Sequence, residues 1–162
     1  MLQPLLNAID DEWVTMVGRY ILNMGSVEMT TRLLISQIEG NDSSLVMAAD
    51  LPSRLGYVRK RFPRANRQRH SWAMHIFDVV NKHVAFRNAV AHSPIVITDH
   101  EDGTRTIHGI FNLTPNDGQK AGELISLVEL KGRVNESAAI GRSLLEMQAD
   151  FAASWHTASA QR

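Results

Sequence analysis

From Ile9 to Ile38 apolar side chains return every three or four residues: Trp13, Val17, Tyr20, Met24, Val27, Ile35 and Ile38, with Thr31 in the same register. That period places them along one side of a helix, and a stripe of this length must be covered by other elements to leave water. Asp10 and Asp11 suit the first turn, where the backbone dipole favours carboxylates, and Gly40-Asn41-Asp42 supplies a stop. The sequence therefore has to provide further helices, and it does.

A second helix is expected to start at Ser43 or Ser44 and to carry Leu45, Val46, Leu55, Val58 and Phe62, ending at Phe62-Pro63. Pro52 either kinks it or splits it in two. A third helix runs from Arg67 to about Ala91 and closes near His92, because Ser93 precedes Pro94 and is biased out of the helical region. The period then changes. Residues 94–98 and 104–111 have strand character with Asp102-Gly103 as a hairpin turn between them, residues 112–119 are loop, and Glu123-Leu124-Ile125 can add a short third strand. Ser126-Leu127-Val128-Glu129 has the form of a capping box and opens a final helix to about Trp155. The predicted fold is mainly α, an antiparallel four-helix bundle. A small β-hairpin or meander is inserted at about 94–125, before the last helix, within a single domain over 1–162.

Composition narrows the function classes. The chain is 44% hydrophobic and 21% charged, ordinary for a globular protein. No apolar run approaches a membrane span, and the N-terminus lacks the basic start and cleavage site of a signal peptide. These features predict a cytoplasmic protein with no membrane partner. Without cysteine there is no disulfide, thiolate nucleophile or Cys-based metal site. His70, His75 and His83 share a helix but lack zincin spacing, and Asp99 to Gly103 lacks the alternating ligands of a calcium loop. No phosphate-binding glycine loop or nucleophile elbow is present. The expectation is a site without metal or cofactor, with Trp13, Trp72 and Met74 as core or interface residues.

Net formal charge is zero, yet no acidic residue lies between Asp50 and Asp78, where Arg54, Arg59, Lys60, Arg61, Arg64, Arg67 and Arg69 all fall. Such a cluster can face phosphates, or it can be a solvated helix end and loop that balance acids elsewhere. Arg64, Arg67 and Arg69, beside the start of the third helix, are the candidates for contact with RNA.

The third helix carries the main chemical signal. On a helical wheel Ile76, Val80, Val84 and Ala91 fall in a narrow arc, and Arg87 falls inside it. A guanidinium there keeps its proton and needs a partner or a water-lined cleft. Glu28, close to the apolar arc of the first helix, is the expected partner. Asn88 and His92 stand four residues apart on an adjacent face, with His92 in the last turn. An arginine can hold a phosphate while a histidine moves a proton at a ribose hydroxyl or leaving oxygen. Arg87 and His92 point roughly 140° apart, so one helix focuses them poorly and two copies at a two-fold axis would do better. Asn, His and Ser before a proline also make an ordinary helix stop.

Arg87-Asn88-Ala89-Val90-Ala91-His92 resembles the Arg-Asn-x-x-x-His signature of the HEPN superfamily, whose motif is an arginine, four to six residues and a histidine. The setting is similar: a helical bundle with the motif late in a helix, a short loop or hairpin, and a last long helix. Many members are metal-independent endoribonucleases that act as homodimers with the site in the dimer cleft. The resemblance implies that His92 transfers protons at the 2′-hydroxyl and leaving group, that Arg87 binds the scissile phosphate and that Asn88 supports the site. Cleavage would leave a 2′,3′-cyclic phosphate. It also implies a possible toxin or defence role with an antitoxin or other protein partner. Other members bind nucleotides or partners without catalysis, so a non-catalytic HEPN-like binding module is the alternative.

Overall fold

A computed structural model describes residues 11–39, 49–64, 66–102, 105–111 and 124–159. It is mainly helical: α1 (Asp11–Glu39), α2 (Leu51–Arg61), α3 (Arg67–His92), β1 (Ile95–Asp99), β2 (Arg105–Phe111), β3 (Leu124–Ile125) and α4 (Leu127–Ser159). No described helix is long and apolar enough to cross a membrane.

Helix starts are set by side chains that cap the first free backbone N–H groups. Asp50 Oδ1 accepts from the Ser53 N–H at 2.9 Å, Asn66 Oδ1 from Arg69 at 3.0 Å and Ser126 Oγ from Glu129 at 3.1 Å. Each fills a donor that the helix itself leaves unpaired. Of the two outcomes expected at Pro52, a single kinked helix running through it is excluded. Ala49 and Asp50 are not helical, and α2 opens at Leu51 with Pro52 in its first turn, where a missing N–H costs nothing. Ser43, Ser44, Leu45 and Val46 lie outside the described residues, as do Gly40-Asn41-Asp42, Gly103, residues 112–119 and Glu123. Phe62 is extended and ends α2 before Pro63. The expected third and last helices and the antiparallel strands are present at Arg67–His92, Leu127–Ser159 and in the order β1-β2-β3.

The chain falls into two compact units, the first from residues 1–22 and 85–136, the second from 23–84 and 137–162. In the first, Trp13, Tyr20, Phe86, Ala89, Val90, Ile110, Ile125, Leu130 and Val134 form the core. Tyr20 meets Phe86 edge-to-face at 5.2 Å between ring centres. The sheet register shifts between Val96 and Ile97, which leaves His108 as an extra residue on β2 beside Gly109. Gly109 has φ of 154°, and a Cβ there would stand 2.6 Å from the Ile125 carbonyl oxygen. Only glycine fits. His108 Nε2 lies 2.8 Å from Thr98 Oγ1, and His100 Nε2 lies 2.9 Å from Thr106 Oγ1.

In the second unit the core is Met24, Val27, Leu34, Ile35, Leu51, Leu55, Val58, Phe62, Ala73, Ile76, Phe77, Val80, Ile140, Leu144 and Met147. Phe62, just past α2, packs against Phe77 and Phe151 with centroids 6.0 and 6.2 Å away. Asn23 Nδ2 donates to the buried Ser137 Oγ at 3.0 Å, matching one polar group of α1 with one of α4. Tyr57 and Arg61 both reach Glu39 in the last turn of α1.

Candidate active site at the end of helix three

The last turns of α3 belong to the first unit, and their buried side is made by Phe86, Ala89 and Val90. Earlier in the helix the buried side is Ala73, Ile76, Phe77 and Val80. The buried stripe therefore drifts around α3 towards its C-terminus. Arg87 and Ala91, which a straight wheel puts in the apolar arc, come out half-buried and exposed.

Arg87 Nη1 donates to Asn88 Oδ1 at 3.1 Å, and both side chains are half-buried. His92 is exposed in the last turn. The chain leaves the helix in a fixed direction: Ser93 N–H donates to the Ala89 carbonyl at 3.0 Å, and the Pro94 carbonyl accepts from Phe111 N–H at 2.9 Å.

Around Arg87 the first unit gathers groups that sequence reasoning did not assign to a site. Burial pushes the Tyr20 hydroxyl well above its ordinary range, opposed by the Arg133 and Arg87 cations and reinforced by Glu136. Burial thus favours the neutral form of the hydroxyl. Arg133 stands over the Phe86 ring at 5.1 Å and its Nη1 donates to Glu136 Oε2 at 3.1 Å. The only signal for Arg133 and Glu136 in the sequence was their spacing of three on a helix.

Glu28 has a different setting. Its carboxylate lies 3.7 Å from Arg54 of α2, whose side chain is 3% exposed. Arg54 Nε donates to the Asp50 carbonyl at 3.4 Å, while its Nη1 is buried with no hydrogen-bond partner among the described residues. Burial and the Arg32 charge lower the Arg54 pKa, and Glu28 and Asp50 hold it up. Arg54 is thus part of the interior rather than of a basic surface.

The remaining basic segment is divided as well. Arg59 pairs with Asp78, Arg61 with Glu39 at 3.0 Å and Arg69 with Asp150. Arg64 and Arg67 are exposed and have no carboxylate partner among the described residues. Trp72, expected in a core or interface, is half-buried and lines two open depressions. Trp13 is in the core. Among the described residues no three His, Asp or Glu side chains gather in a way that would hold a metal ion.

No protein-family model matches this chain, and no curated protein or solved structure does either.

Proposed function

We propose that the protein is a metal-independent endoribonuclease of HEPN type, acting in the cytoplasm as a homodimer, with its four helices packed as an antiparallel bundle and the site in the dimer cleft. The observation that carries this reading is an exposed His92 and a half-buried, Asn88-held Arg87 in the last turns of one helix. His92 takes the proton from a ribose 2′-hydroxyl as that oxygen attacks the adjacent phosphorus. The 5′-oxygen leaves with the proton that the His92 imidazolium gives back, and the product ends are a 2′,3′-cyclic phosphate and a 5′-hydroxyl. Arg87, with Asn88 fixing its orientation, meets the charge that builds on the phosphate.

Dimerisation is supported by apolar side chains left open on α1, where Leu22 is 75% and Met29 56% exposed at helical spacing. A toxin or defence role with an antitoxin partner goes with the same reading. The alternative is a non-catalytic module that binds a nucleotide or protein. The deciding experiment is RNA cleavage in EDTA by wild type beside His92→Ala. Cleavage with cyclic-phosphate ends that the variant loses supports the enzyme; no cleavage of structured or single-stranded RNA by wild type supports the binding module.

A further inference from the structure

The first turns of α3 carry a chemistry that the Arg87–His92 pair does not use. One open depression there is lined by Arg67, Gln68, Ser71, Trp72 and His75. These positions follow the helical period and share one face of α3. The lining offers a guanidinium, an amide, a hydroxyl and two aromatic rings, with no carboxylate among those residues. Trp72 and Gln68 also border a second depression with Asn66, Arg69 and Glu146. The indole thus stands as a wall between two hollows.

The neighbouring charges decide what such a wall would hold. Arg59, Arg61 and Arg69 are matched by carboxylates of other elements. Arg64 and Arg67 are not, among the described residues, and Arg67 lines the first depression beside the indole. A half-buried indole sharing a depression with an open cation and an amide matches an unpaired base and its phosphate. The ring stacks, the guanidinium meets phosphate, and Gln68 can hydrogen-bond the base edge. An acidic peptide would use the arginines and leave the indole idle, whereas a duplex offers phosphates without an open base face.

We infer that this face of α3 is a stacking platform for single-stranded nucleic acid, with Trp72 under a base and Arg67 and Arg64 on its phosphates. The inference rests on the ribonuclease reading only for the sugar, which that reading makes ribose.

The test is binding of a fluorescein-labelled, 2′-O-methyl RNA 12-mer of mixed sequence, which cannot be cleaved through the 2′-oxygen, followed by anisotropy. Trp72→Ala should weaken binding about tenfold or more, and Trp72→Phe should restore it to within about threefold. Arg67→Ala, at an exposed position that cannot unfold the chain, should weaken binding and lower the slope of log affinity against log salt by about one. Wild-type affinity in Trp72→Ala, or tighter binding of a duplex of the same sequence, would overturn the platform. A DNA strand bound as tightly as the RNA supports the platform and identifies it as indifferent to the sugar. Cleavage in EDTA separates the two readings. Cleavage with unaffected Trp72→Ala binding removes the platform and leaves the enzyme; Trp72-dependent binding without cleavage leaves the platform and removes the enzyme.

Discussion

The turn of α2 around Arg54 and the last turns of α3 around Arg87 both set an arginine among apolar residues, and they treat it in opposite ways. Arg54 is 2% exposed, with a carboxylate from another helix 3.7 Å away and a backbone carbonyl on its Nε. Arg87 is half-buried, is oriented by the amide next to it in sequence, and sits in the same helix end as an exposed histidine. Water has been removed from the first and reaches the second. A solute can meet Arg87 without unfolding anything, and it cannot meet Arg54. Accessibility, more than the number of nearby charges, separates an arginine that holds a fold from one that can act on a ligand.

That contrast breaks first at His92. On the ribonuclease reading proposed above, His92→Ala should lower cleavage at least about 100-fold, the usual loss for a proton-transfer residue, while leaving the melting temperature in place because the side chain is exposed. A variant that cleaves as wild type would dissolve the functional half of the comparison. Next in size is Glu28→Ala, which strands a buried guanidinium. Urea unfolding should show a loss of about 2 kcal/mol, somewhat less than for fully buried pairs because the Glu28 side chain is 27% exposed. Arg54→Met, which removes the buried charge itself, should cost less than Glu28→Ala. The reverse order would mean that Arg54 is held chiefly by packing.

Asn88→Ala should lower cleavage about tenfold by letting Arg87 swing, with unfolding changed little. Equal rates would show that Arg87 is oriented from elsewhere. The smallest effect concerns acid. Hydrogen bonds from Ser53 hold the Asp50 carboxyl below the ordinary carboxylate value. A depressed native pKa gives stability that is complete above the unfolded value and lost as pH falls through the native one. Urea midpoints of wild type should thus fall below about pH 4, and Asp50→Asn should flatten that part of the profile.

Much of the helical outline was legible because its limits are local. Pro94 behind Ser93 stops α3, Phe62-Pro63 stops α2, and Ser126 with Glu129 starts α4. The start of α2 at Leu51 was also written locally, as Asp50-Leu51-Pro52-Ser53, a cap followed by a first-turn proline. The site was half legible. Arg87, Asn88 and His92 are close in sequence, so spacing groups them. Arg54 was not recognisable as interior, because its burial depends on Glu28, which lies in a different helix. The wheel misjudged Arg87 because it assumes one neighbour along the whole helix, whereas the buried side of α3 changes between its two units. Of the two tryptophans read as core or interface residues, Trp13 is in the core and Trp72 is half-buried at an open face.

Gly109 carries a consequence for motion. A strand of two residues has too few hydrogen bonds to hold its own register, so β3 depends on the close approach that the missing side chain at 109 allows. Ser126 follows β3 directly, and its hydroxyl covers the Glu129 amide. A single methyl group at position 109 would therefore be felt as faster amide exchange at Ile125 and then at Glu129. The first turn of α4 would open in solution more often while the rest of that helix kept its protons.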